Sequence, residues 1–138
     1  MLEQGWNNAG MGATNSFSLT TGQIDLCDNN AILNVLNSFY LDVTNGNFVA
    51  TTIANETANA RLELSAAGTL TAEYVSDQAT VSGADLSMQI SASDVVLNGQ
   101  NIDDVNTAIN VVSGAATMIS ASDSLTVNAL VSNQGGLT

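Results

Sequence analysis

The chain has 138 residues, among them 13 acidic residues, a single basic residue (Arg61) and no histidine or proline, for a net charge of -12. Without His or Lys it lacks the usual neutral-pH acid–base groups, and without basic clusters it cannot grip phosphates, so catalysis of the common kinds, nucleic-acid binding and adhesion to anionic membranes are all disfavoured. Its length suits one domain, and a hydrophobic content of 45% argues against wholesale disorder.

In chain order, the segment Met1 to Phe17 carries neither the basic nor the apolar stretch of a secretory signal. Residues 1–16 are expected to form a flexible arm, and residues 17–138 a single β-rich domain. Trp6, flanked by Gly5 and Gly10, is a candidate anchor for docking that arm onto a neighbouring subunit. Apolar residues then alternate with small or polar ones at Phe17 and Leu19, at Ile24 and Leu26, and at Phe39, Leu41 and Val43. This period of two is the mark of strands with one buried face. Ile32, Val35, Leu36 and Phe39 also fit a helical spacing, so that segment stays open between helix and buried strand. Asn45-Gly46 is the best hairpin turn, joining strands from Phe39 to Ala50, because both residues tolerate positive φ.

Alternation resumes at Leu62 and Leu64, at Leu70, Ala72 and Tyr74, at Leu86, Met88 and Ile90, and at Val95 and Leu97. A short helix is expected near 102–112: Ile102, Val105, Ala108, Ile109 and Val112 lie at helical spacing, Asn101 is placed to cap, and Asp103 and Asp104 fall in the first turn. Leu125, Val127, Ala129 and Val131 close the series. Ile90-Ser91-Ala92-Ser93-Asp94 recurs unchanged as Ile119-Ser120-Ala121-Ser122-Asp123, as one rung of a repeated β-structure would. The expected fold is therefore mainly β, either an antiparallel β-sandwich or a short β-solenoid or β-prism-like stack. Single apolar residues per strand promise little burial within one chain, so oligomerisation is expected to complete the core.

Functional candidates are few. No catalytic residue emerges, because Cys27 and the many Ser and Thr have no His or Lys to activate them. No cofactor is expected; Ca²⁺ is the one ion whose chemistry the acids would suit, at Asp25 to Asn30 or at Asp103-Asp104, though neither stretch matches an EF-hand loop. Asn55-Glu56-Thr57 has the form of a glycosylation sequon, and equally of a polar turn. Arg61 is expected to pair with a nearby acid such as Glu63 or with a carboxylate of another subunit. Trp6 and Arg61 are thus the two candidate assembly contacts.

Lysine-poor, proline-poor strands such as 84–97, closing in Leu97-Asn98-Gly99, and the apolar stretch after Asn101-Ile102-Asp103-Asp104-Val105 give the chain a texture that resembles virion structural proteins of tailed bacteriophages, of the tail-fibre, spike and capsid-decoration kinds. No motif particular to one such family is present, so no site residue carries over. The resemblance implies a β-rich homotrimer, located in the virion and contacting other virion proteins, without nucleic-acid binding or membrane insertion. A bacterial surface adhesin or extracellular filament domain binding glycan or protein is the alternative, located outside the cell or at its surface.

Overall fold

The computed structural model describes residues 41–43, 46–56, 58–80 and 85–138 in full, and strands at 6–7, 14–19, 23–26, 32–35 and 38–40 by their backbone. In chain order the strands are β1 (Trp6–Asn7), β2 (Thr14–Leu19), β3 (Gln23–Leu26), β4 (Ile32–Val35), β5 (Ser38–Val43), β6 (Asn47–Asn55), β7 (Leu62–Asp77), β8 (Met88–Leu97), β9 (Gln100–Ile102), β10 (Val105–Val111), β11 (Ala116–Val127), β12 (Leu130–Asn133) and β13 (Gly136–Leu137). Pairing is parallel throughout except between β9 and β10.

The registers sort these strands into three faces of a β-solenoid. On the first face Leu41, Leu64, Ile90 and Ile119 lie in one column across β5, β7, β8 and β11. On the second, Ile24, Phe48, Leu70, Val95 and Leu125 line up. On the third, Leu33, Ile53, Val75, Ile109 and Val131 do so. Among the described strands β7 alone runs along all three faces. The ladder slips between Ala66 and Thr69 where β7 turns from the first face to the second, and no register partners are formed at Thr51 and Glu73, between the second and the third.

Period-two alternation produces this arrangement because every inward position of a strand meets the inward position of the turn below. Phe48, Ile53, Leu64, Leu70, Ile90 and Leu97 are completely buried. Full burial of one such side chain contributes about 1.5–3 kcal/mol, so stacked columns stabilise each turn against the next. The buried residues of the stacked columns form one apolar cluster within the single chain. Of the two architectures expected, the solenoid is the one formed. Parallel strands require a long crossover, and here the remainder of each turn is that crossover.

Two local expectations are corrected. β5 and β6, expected as a hairpin about Asn45-Gly46, do not pair with each other; β5 pairs with β2 and β7, and β6 with β3, β4 and β7. Asn45 itself lies outside the described residues. The helix near 102–112 is absent: β9 and β10 form an antiparallel hairpin with Ile102 opposite Val105. Asp103 and Asp104 sit at φ of 49° and 64°, the left-handed pair that a two-residue hairpin turn needs and that Asp tolerates. β-branched Val105, Thr107, Ile109 and Val111 then favour strand over helix. The segment left open from Ile32 to Phe39 holds strand β4 and the start of β5. β2 begins at Thr14 and β1 holds Trp6 opposite Leu33, so strand pairing reaches into the stretch read as an arm.

The repeated pentapeptide has a direct structural meaning. Ile119, Ser120 and Ala121 lie in register on Ile90, Ser91 and Ala92; a shift then sets Ser124 opposite Asp94. At that corner Ser93 Oγ donates to Asp123 Oδ2 at 2.7 Å, and Ser124 Oγ donates to Asp94 Oδ1. The echo is thus two adjacent turns presenting the same core residues and exchanging Ser–Asp hydrogen bonds.

Candidate functional site

Two features stand out from the regular stack: a buried polar node at the corner between the third face and the first, and an apolar end on the last turn.

The node is built around Asp77, the final residue of β7, whose side chain takes an inward position and is 0% exposed. Every other acidic side chain among the described residues is exposed or half-exposed. Asp77 Oδ2 accepts hydrogen bonds from Ser87 Oγ at 2.6 Å and Thr117 Oγ1 at 2.7 Å, and its Oδ1 accepts from the Ala79 amide at 3.1 Å. Ser87 Oγ in turn accepts from the Ala116 amide at 2.8 Å. Asn55, at the end of β6, is the register partner of Asp77 and is equally buried. Its Nδ2 donates to the carbonyls of Ala60 at 3.1 Å and Ser87 at 2.9 Å, whereas its Oδ1 has no partner. Burial raises the Asp77 pKa above the ordinary carboxyl value, against the opposing pull of the Ser87, Thr117 and Ala79 donors. These residues come from successive turns, so the node ties the turns together along the stacking direction. It has no imidazole or amine to relay a proton to a substrate, and it is closed to solvent.

The end of the stack is different in kind. Leu125 and Val131 continue the buried columns of the second and third faces, yet they are 51% and 41% exposed, and Leu130 beside them is 52% exposed. On the first face the chain covers itself: β13 pairs with β11, and the Ile119 amide donates to the Thr138 carbonyl at 2.9 Å, leaving Ile119 buried. The second and third faces have no such cover among the described residues, and their apolar columns open onto solvent.

Of the residues singled out from sequence, Arg61 pairs with Asp85 at 2.5 Å. Both side chains stand at the surface, on the corners that lead into β7 and β8. Trp6 is placed by its backbone in β1. Cys27 and residues 28–30 lie outside the described residues, and Asp25 is placed in β3 by backbone alone. Asp103 and Asp104 make the hairpin turn, and no group of three or more His, Cys, Asp or Glu that could hold a metal occurs among the described residues. Asn55 of the sequon is a node residue: the nitrogen that would carry a glycan is buried and already donates twice.

The node went unnoticed in sequence because an Asp after Val75-Ser76 reads as the polar end of a strand. The signal was there in spacing: Asn55 follows Phe48 and Ile53 at the same intervals by which Asp77 follows Leu70 and Val75, so a polar pair had to share a column. No helix among the described residues is long and apolar enough to cross a membrane. Comparison with family models, with curated proteins and with solved structures finds no match to this chain.

Proposed function

We propose that this chain is a non-enzymatic structural component of a virion, of the tail-fibre, spike or capsid-decoration kind, acting through homo-oligomeric assembly and contact with other virion proteins. The observation that carries this reading is the exposure of Leu125 and Val131, which lie in register with buried core columns, together with exposed Leu130 beside them. A strand edge backed by apolar residues is a surface for adding a further strand. The remaining surface suits a crowded assembly: its acids lie outside the core, and their like charge keeps particles apart. A chain without histidine or lysine, in which the one buried acid among the described residues serves the fold, supports a structural role over a catalytic one.

Light scattering across a concentration series, with electron microscopy of the same sample, tests the proposal. The expected result is a defined oligomer, a trimer by the resemblance to phage fibres, that dissociates in Leu125→Asn/Leu130→Asn; both positions are half-exposed, so the variant keeps its fold. A wild-type chain that stays monomeric at every concentration overturns the proposal, and glycan binding by that monomer supports an adhesin instead.

A further inference from the structure

The orphaned oxygen of Asn55 points to a proton that the heavy atoms alone do not reveal. The Asn55 amide cannot be turned over, because its Nδ2 donates to two carbonyls, and the reverse orientation would set an oxygen against both. Its Oδ1 therefore stays fully buried with no donor. Such groups are rare in native interiors and call for an explanation. Directly above it, one strand spacing of about 4.8 Å away, sits its register partner Asp77. Ser87 and Thr117 have one hydroxyl proton each; both hydroxyls lie within donor distance of Asp77 Oδ2, at 2.6 and 2.7 Å, and that of Ser87 also lies 3.1 Å from the Ala116 carbonyl. Asp77 Oδ1 receives only the Ala79 amide, at 3.1 Å.

We propose that Asp77 carries a proton in the folded protein and donates it from Oδ1 to Asn55 Oδ1, making the stacked pair a proton-dependent latch between adjacent turns. The protonated carboxyl supplies the one donor that Asn55 lacks, and its Oδ2 keeps both hydroxyl bonds. Burial, which opposes a charge at Asp77, acts in the same direction. The elements around it bring no cation into the node. β6 contributes Asn55, with exposed Glu56 after it; the corner before β8 contributes Ser87, with Arg61 and Asp85 paired at the surface; β10 contributes Val111 as register partner, and β11 contributes Thr117.

The sign follows from proton linkage. A carboxyl whose folded-state pKa is raised contributes stability that is fully present below its unfolded value and is lost as pH rises through the folded one. The latch therefore holds in acid and weakens toward neutral pH.

Two measurements on the full chain decide the matter. Isotope-edited infrared spectra with ¹³C-labelled aspartate, recorded at pH 5, about one unit above the ordinary Asp pKa, should show a carboxylic-acid C=O band that Asp77→Asn removes. Melting temperatures from pH 4 to pH 8 should show wild type losing stability relative to Asp77→Asn as pH rises, because the variant places an N–H where the proton sits and does not titrate. The variant forfeits the Ala79 bond, so the slope and not the offset is the readout. Absence of the acid band, parallel pH curves, or a variant that loses ground with rising pH would overturn the latch. If Asp77→Asn does not fold, the infrared titration of wild type decides alone: the band persisting above the ordinary pKa supports the latch, and its absence refutes it.

Discussion

Leu70 and Leu125 occupy the same column of the second face, in register through Val95, but Leu70 is 0% exposed and Leu125 is 51% exposed. The stacking account therefore predicts different costs for one chemical change. Leu70→Ala removes a side chain enclosed between Phe48 and Val95 and leaves a cavity, at a cost of about 2–5 kcal/mol. Leu125→Ala removes a side chain only half withdrawn from water and leaves no enclosed cavity, so about half the transfer value applies, roughly 1 kcal/mol. A gap of about 2 kcal/mol, at an m-value of about 1.5 kcal/mol/M, separates the two urea midpoints by roughly 1.3 M. The assay is equilibrium urea unfolding followed by circular dichroism, at a dilution where scattering gives the monomer mass. Equal midpoints for the two variants, or a lower midpoint for Leu125→Ala, would refute the placement of Leu125 on an open end.

The hairpin turn makes a second prediction: Asp104→Val forces a β-branched residue into a left-handed position at φ 64° and should cost about 1–2 kcal/mol, read as a lowered melting temperature, while Asp103→Asn/Asp104→Gly should be tolerated. If valine were as well tolerated as Asn-Gly, the turn geometry would be wrong. Arg61→Gln removes an ion pair whose side chains are 41% and 58% exposed, and should shift stability by less than about 1 kcal/mol in the same melts. A larger loss would contradict the weak contribution expected of an exposed pair.

Strand content was legible because it rests on local alternation: Leu62 and Leu64, Val95 and Leu97 each announced an inward face, and each is buried. What alternation cannot reveal is the partner. Period two is the same for a hairpin and for a solenoid turn, so Asn45-Gly46 read naturally as a hairpin although the strands flanking it pair with other turns. The repeat of Ile-Ser-Ala-Ser-Asp was a long-range signal, and it marks two stacked turns. Asp103-Asp104 misled in the opposite sense, since acids ahead of spaced apolar residues fit a helix start as well as they fit a left-handed turn. Asn55 and Asp77 were invisible singly, because their meaning arises only when the turns stack and bury them together. The exposure of Leu125 and Val131 is likewise a property of the stack's end and not of the residues, which match their buried counterparts Leu70 and Val75.

The central claim is the parallel register of the turns, and a cysteine pair tests it directly. Ser91 and Ser120 are register partners on adjacent turns and neither is buried. Parallel neighbours lie about 4.8 Å apart, inside the Cα separation of roughly 4.4–6.8 Å that a disulfide spans. In a Cys27→Ser background, Ser91→Cys/Ser120→Cys should close an intramolecular disulfide on mild oxidation, whereas Ser91→Cys/Met118→Cys, two residues out of register on the same strand, should not. Failure of the 91–120 pair to close, or equal closure of both pairs, would contradict the solenoid.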